Sequence, residues 1–221
     1  MTPRMHASSS LVSSTQASIH PRLRDSVLRH LRSPWQIRVR PTIAALAQRL
    51  AACERLVLDL GCGTGESTLA LAQHHRDCQV VGIDQSAQRL RRYQLQDDCA
   101  PSGGALLCRA DSFELLHALA ELRVRAEKTY LLYPNPWPKP EHLKRRWHAH
   151  PAFVALLSVS NALELRSNWP LYVEEFAFAL DVAGYAGAKP VAFSPVTALS
   201  AFEKKYSASG HPLYALNVQL K

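Results

Sequence analysis

The stretch Leu56-Val57-Leu58-Asp59-Leu60-Gly61-Cys62-Gly63-Thr64-Gly65-Glu66 decides how this chain is read. A β-rich run ends in a loop with three glycines in five positions, and a helical pattern opens at Glu66. Glycines let the backbone turn sharply and approach a ligand without Cβ interference, so strand, glycine loop and helix form the first unit of an α/β sheet. The spacing is G-x-G-x-G, whereas a dinucleotide fingerprint reads G-x-G-x-x-G. Glu66 at the helix start would also meet a pyrophosphate unfavourably. The loop points to a nucleoside ligand without one.

Outward from that unit, strands and helices alternate. β-rich runs fall at Arg55–Leu60, Gln79–Asp84, Ala105–Ala110, Lys128–Pro134, Asn161–Ser167, Pro190–Ser194 and Tyr214–Leu220. Helical patterns separate them near Glu66–His75, Ser86–Gln96, Ser112–Leu122, Glu141–Leu157 and Pro170–Ala183. This alternation predicts a doubly wound, mostly parallel sheet of about seven strands in one domain.

In such a sheet ligands sit beyond the carboxyl ends of the strands. The second run ends at Asp84, where a carboxylate accepts hydrogen bonds from ribose hydroxyls. The third ends in Ala110-Asp111-Ser112, which offers an acceptor to an adenine edge, and Asp59 precedes the glycine loop, where it could hold an ammonium. Each acid taken alone also reads as a helix N-cap. In order, at strand ends, ammonium acceptor, glycine cradle (Gly61, Gly63, Gly65), ribose acceptor and adenine acceptor describe S-adenosylmethionine.

The fourth strand runs into Tyr133-Pro134-Asn135-Pro136-Trp137-Pro138-Lys139, followed by His142, Lys144, Arg145, Arg146, Trp147 and His148. Three prolines stiffen the loop that would face the methyl group. Trp137 can stack on a base and the basic run can grip phosphates, as an RNA site requires; the alternative is a rigid corner beside a solvated helix face. Trp147 and Trp169 are expected in the core.

These motifs, with Gly82-Ile83-Asp84, Lys144-Arg145-Arg146 and the ending Ser200-Ala201-Phe202-Glu203-Lys204 with Gly210, resemble the bacterial tRNA (guanine-N7)-methyltransferase family over residues 53–221. The P-x-P-W-P-K block with its K-R-R is the specific part; the glycine loop is shared by many methyltransferases. The resemblance implies a Rossmann-like class I methyltransferase whose last strand is antiparallel, acting on N7 of a guanine in the tRNA variable region. By motif position it places Asp59, Gly61, Gly63, Gly65, Asp84, Asp111, Ser112 and Asn135 at S-adenosylmethionine, with Asn135 at the reacting centre. It places Lys139, Arg145, Arg146, Asn168, Ser200 and Glu203 at the RNA. No metal is implied. N7 carries no proton, so alignment is needed and a general base is not.

Two positions depart from the family pattern: Asn135 where it has Asp, and Ser167-Asn168 where it has Thr-Asp. Asn carries no charge and one acceptor oxygen, so a slower rate or another substrate is expected, and a binding homologue without turnover is a competing reading. An amino-group methyltransferase is another, because Asn135-Pro136-Trp137 approaches the [DN]-P-P-aromatic loop with its aromatic one residue early.

The charge has a location. The chain has 26 Lys and Arg against 18 Asp and Glu, a net +8, and residues 1–50 hold eight arginines and one acid, Asp25, or +7 of it. Arg22, Arg24, Arg29 and Arg32 flank apolar Leu23, Val27, Leu28 and Leu31 at helical spacing. Residues 21–52 therefore read as a mobile basic helical arm that grips polyanions, preceded by a disordered leader over 1–20, whose deletion should barely change RNA affinity, and followed by the catalytic domain over 53–221. Five cysteines without C-x-x-C spacing predict free structural thiols and a cytoplasmic location. The richest apolar stretch, 151–165, is broken by Ser158, Ser160 and Asn161, so no membrane partner is expected, and the protein should be a monomer or homodimer.

Overall fold

The computed structural model describes residues 15–220. Helices α1 (Leu23–Arg32) and α2 (Pro41–Ala51) precede strand β1 (Leu56–Leu60), helix α3 (Glu66–His74), strand β2 (Gln79–Asp84) and the short helix α4 (Ala87–Leu90). Strands β3 (Cys99–Ser102) and β4 (Ala105–Arg109), helix α5 (Ser112–Glu121) and strand β5 (Lys128–Leu132) follow. Two 3-10 turns, Pro140–Arg145 and Trp147–Ala149, lead to α6 (Phe153–Val159), β6 (Ala162–Ser167), α7 (Pro170–Val182), β7 (Val191–Phe193), α8 (Ala201–Ala208) and β8 (Leu213–Gln219).

The strands form one eight-stranded sheet in the order β3-β4-β2-β1-β5-β6-β8-β7. The five central strands are parallel; β3, at one edge, runs antiparallel to β4, and β8 runs antiparallel to both β6 and β7. The order reverses at β1, which pairs with β2 on one side and β5 on the other, so a crevice opens beyond its carboxyl end. Every residue of β1 is buried because helices cover both faces. Leu56, Leu58 and Leu60 join the core formed with α1, α2, α5, α6 and α7, while Val57 joins the smaller core under α3 and α4. Period-two alternation thus turns Asp59 toward α3.

All seven expected strands are present, and β3 is an eighth. The helix expected over 86–96 ends at Leu90, after which Asp97 and Asp98 take positive φ (47° and 61°) and turn the chain into β3. The helix expected over 141–157 is broken twice. Arg146 is extended (ψ 140°) as its side chain turns inward, and His150, preceding Pro151, is extended too (ψ 146°). Helix α8 was not expected, although Ser200 and Glu203 carry the S-x-x-E capping signature: Glu203 N donates to Ser200 Oγ at 3.2 Å.

The free-thiol expectation fails at two positions. β3 sets Cys99 opposite Cys108 in a non-hydrogen-bonded pair with Cα atoms 4.2 Å apart, and the two are joined as a disulfide. Cys53, Cys62 and Cys78 are free.

Residues 21–52 do not form a separate arm. Leu23 and Val27 of α1 and Ile43, Leu46, Ala47 and Leu50 of α2 belong to the main core, with α1 packed on α7 and α2 on α5. The apolar spacing that makes these helices amphipathic also glues them to the sheet's helices. Arg22, Arg24, Arg29 and Arg32 remain exposed on α1. The expected leader lies mostly outside the described residues, but its described end is pinned: Gln16 N donates to Pro138 O at 3.1 Å, and His20 is buried. Among the described residues, no helix is long and apolar enough to cross a membrane.

Candidate functional site

Beyond the carboxyl ends of β1, β2, β4 and β5 lies a cavity of about 510 Å³. Gly61, Asp84, Ala110, Asp111 and Ser112 line one side, and Asn135, Trp137, Lys144 and Arg145 line the other. The strand-end acids and the loop after β5 therefore meet across one space.

On the glycine side the geometry is largely main-chain. Gly61, Gly63 and Gly65 all take positive φ (75°, 59° and 79°), which side-chain-bearing residues rarely adopt. Asp84 is 3% exposed, and its carboxylate ties the loop down, accepting from Gly63 N at 3.0 Å and Ser86 N at 2.8 Å. Arg89, on α4, adds an ion pair to the same carboxylate at 3.2 Å; nothing in the sequence pattern had marked it. Asp111 is both things its sequence position allowed. It caps α5, accepting from Phe113 N and Glu114 N at 2.8 and 3.1 Å, and it lines the cavity.

Asp59 departs from expectation. It is 1% exposed and sits behind the glycine loop, outside the cavity lining, where Oδ2 accepts from Ser67 Oγ (2.6 Å) and Thr68 Oγ1 (2.7 Å). Oδ1 is buried with no partner. Burial pushes its pKa up to about 6 against the two hydroxyl donors, which act to lower it.

On the loop side, Trp137 takes a positive φ of 47°, and its N–H donates to Asn135 Oδ1 at 3.3 Å. An Asp at position 135 could accept that bond equally, so this departure alters charge rather than loop geometry. Arg145 stacks over the Trp137 ring (4.6 Å to its centroid), and His142 meets the ring edge-on. Lys144 and Arg145 are exposed, as is Lys139, which does not line the cavity. Burial lowers the pKa of His30 on α1, and the nearby charges of Arg29 and Lys144 lower it further. Helix α1 packs against the second 3-10 turn, where Ser26 Oγ donates to Ala149 O at 3.3 Å.

Four expected RNA contacts are placed elsewhere. Arg146 is wholly buried: it ion-pairs with Glu175 and donates to the carbonyls of Trp137 and Lys139, so it supports the loop from beneath and cannot reach a phosphate. Glu203 is wholly buried as well, accepting from Tyr133 Oη, Arg166 Nη1 and Leu199 N. These bonds fix α8 against the end of β5. Ser200, 9% exposed, is the cap of α8. Asn168 is half-buried after β6 and does not line the main cavity. A second cavity, lined by Gly61, Thr64, Leu132, Ser200 and Phe202 among others, brings the α8 start beside the glycine loop.

The sequence reading missed the far wall of the main cavity, formed by Phe113, Trp147 and His150. His150 stacks on Phe113 with centroids 3.9 Å apart, and burial pushes its pKa down to about 4, so it is neutral. Trp147 packs against the core and lines the cavity at once, as an amphipathic aromatic can. No periodicity marks such a wall, because its members come from α5 and the 3-10 turns. Among the described residues, no group of three or more His, Cys, Asp or Glu is arranged to hold a metal ion.

A tRNA (guanine-N(7)-)-methyltransferase of Chromohalobacter salexigens is 28% identical over 80% of this chain and 74% of its own length. One from Leifsonia xyli is 27% identical over 72% of this chain and 73% of its own. One from Mycobacterium leprae is 30% identical over 55% of this chain and 54% of its own. Among solved structures, the 16S rRNA methyltransferase KamB superposes with a TM-score of 0.57 at 18% identity, covering 83% of this chain and 94% of that one. An antibiotic-related methyltransferase superposes at 0.55 with 14% identity, covering 84% and 96%. These likenesses establish the class I methyltransferase fold. Residues 54–216 match the family model Methyltransf_4, whose description reads "Putative methyltransferase", and the chain belongs to that methyltransferase family.

Proposed function

We propose that this protein transfers a methyl group from S-adenosylmethionine to N7 of a guanine in tRNA. One observation carries the reading: Asp84 and Asp111, at strand ends, line the same cavity as Asn135, Trp137, Lys144 and Arg145. A nucleoside-type acceptor set and a basic, aromatic RNA-type loop thus share one reaction space. The relatives' printed names point to the same chemistry.

The residues fit the cofactor. The unpartnered buried Oδ1 of Asp59, in a carboxylate without any cation beside it, suits the cofactor's ammonium, reached directly or through water. Asp84 would receive the ribose hydroxyls and share its carboxylate with Arg89; Asp111 and Ser112 would receive the adenine edge. Gly61, Gly63 and Gly65 would let the backbone approach. When bound, S-adenosylmethionine supplies an electrophilic methyl on a sulfonium.

The chain's own task is to present the base. Trp137, backed by Arg145, offers a stacking surface, while Lys139, Lys144, Arg145 and the exposed arginines of α1 hold phosphates. The loop and the glycine side would align the N7 lone pair with the methyl group that the cofactor supplies. No proton moves, so no residue need act as a base. Asn135 lies beside that reacting centre, and its lack of charge should weaken stabilisation of the cations there. Asn135 and Asn168 also motivate a second reading, a homologue that binds both ligands with little turnover.

Incubation with radiolabelled S-adenosylmethionine and tRNA lacking N7-methylguanine tests the assignment, with the labelled nucleoside identified by mass spectrometry. Labelled N7-methylguanine is expected. N6-methyladenine or N2-methylguanine would sink it, and calorimetric binding without label transfer would favour the second reading.

A further inference from the structure

Beneath the loop after β5 lies a buried charge cluster that the methyl-transfer chemistry does not use. Arg146 and Glu175 are wholly buried. The Arg146 guanidinium donates to Trp137 O through Nη2 (3.0 Å) and Nε (3.2 Å), to Lys139 O through Nη2 (3.2 Å), and to Glu175 Oε2 through Nη1. Glu175 Oε2 also pairs with His148 Nε2 at 3.0 Å. The other oxygen, Oε1, faces away from Arg146 to the N-terminal segment, accepting from Gln16 Nε2 (2.6 Å) and His20 N (2.8 Å). Gln16 closes the circuit, because its backbone N–H donates to Pro138 O at 3.1 Å. Each carbonyl from Trp137 to Lys139 thus receives an N–H from this cluster or from its strap.

Such a cluster is costly to bury, and apolar residues of similar volume would pack as well without it. What it supplies is direction. A planar guanidinium can reach two carbonyls and a carboxylate at once, which an apolar side chain cannot. The loop needs external support because Trp137 is held at positive φ, a conformation that a non-glycine residue keeps only when its surroundings impose it.

We infer that Arg146 and Glu175 are positioning residues that strap residues 16–20 to the Trp137–Lys139 loop, so that the N-terminal segment sets the geometry in which Trp137 meets the base. The inference rests on the RNA reading of that loop given above. It gives the segment 16–20, which carries no arginine, a part in the reaction.

Two full-length variants test it. Gln16→Ala cuts one strap bond and leaves the ion pair in place; Glu175→Gln keeps the shape and removes the charge. Amide hydrogen exchange over residues 133–145 is read by mass spectrometry, alongside kcat on tRNA and the calorimetric Kd for S-adenosylmethionine. Exchange in the loop should rise about fivefold in Gln16→Ala, the effect of one net hydrogen bond on local opening. The kcat should fall by a similar factor, with cofactor Kd unchanged; Glu175→Gln should do more in both. A folded Gln16→Ala protein with unchanged loop exchange overturns the strap, and faster exchange with unchanged kcat overturns its role in the reaction. Wild-type protein that labels no tRNA overturns the functional reading instead, and the exchange measurements still decide the strap.

Discussion

Asp59 and Glu175 are both buried carboxylates, one behind the glycine loop and one beneath the loop after β5, and they are held in opposite ways. Asp59 has two hydroxyl donors, one unpartnered oxygen and no adjacent cation, and burial pushes its pKa up to about 6. Glu175 has Arg146, His148, the His20 N–H and the Gln16 amide on its two oxygens. Although burial opposes it, the hydrogen bond from His148, joined by the His20 N–H and the Arg146 charge, holds its pKa down at about 2. Both side chains are closed to solvent, and the opposite directions of their shifts follow the partners around each carboxylate. Both Glu175 oxygens are taken up by groups of the protein itself, whereas the Asp59 carboxylate leaves one oxygen for a ligand.

The largest test of that contrast is Glu175→Ala, which leaves Arg146 buried without its counter-ion. A loss of roughly 3–5 kcal/mol in urea unfolding is expected, and a loss under ~1 kcal/mol would mean the cluster is wetter than its geometry implies. Next come the opposed pH dependences. The folded pKa of Glu175 is depressed, so its contribution is present above the ordinary 4.5 and disappears as pH falls through about 2. The folded pKa of Asp59 is raised, so its contribution is present below 3.8 and disappears as pH rises through about 6. Asp59→Asn should therefore flatten the stability change between about pH 4 and pH 6, worth ~3 kcal/mol at most, while weakening cofactor binding. If urea midpoints retain the wild-type slope over that range, Asp59 is not the group responsible.

Asp84→Ala should weaken S-adenosylmethionine binding roughly 10–100-fold by calorimetry, with tRNA affinity nearly unchanged, since it removes a charged acceptor from the glycine side alone. Lys139→Ala is its mirror image. The KM for tRNA should rise roughly two- to fivefold and the salt slope of binding fall by about one, with cofactor affinity untouched. A reversed pattern in this pair would mean the two sides of the cavity have been exchanged. The smallest effect is expected for Asn135→Asp: because Oδ1 already receives the Trp137 N–H, the loop should stay put and the rate on guanine rise a few-fold, as measured by kcat. An unchanged or lower rate would argue that Asn suits a different base.

Legibility in the sequence followed the range of the interactions. The glycine loop, Asp84 and Asp111 were readable because strand, turn and cap are local patterns, and the sheet order then brings their ends together. The capping pair Ser200 and Glu203 was equally local and was overlooked as such. The roles of Arg146 and Glu203 were misassigned because a charged residue in a basic or polar motif looks the same whether it faces solvent or an ion-pair partner 29 or 37 residues away. Likewise, +7 of net charge over residues 1–50 looked like an independent arm until the apolar faces of α1 and α2 were seen in the core.

By itself, then, the sequence determined the alternating α/β architecture, the glycine cradle and the basic aromatic loop, since short-range periodicity and backbone sterics act within a few residues. Only the tertiary structure decided which charges are ligands and which are struts. It set Cys99 against Cys108, hid Arg146 under Trp137, and fastened the segment beginning at Gln16 to the same cluster. Desolvation and ion pairing depend on what the fold brings within a few ångströms, and spacing along the chain does not encode that distance.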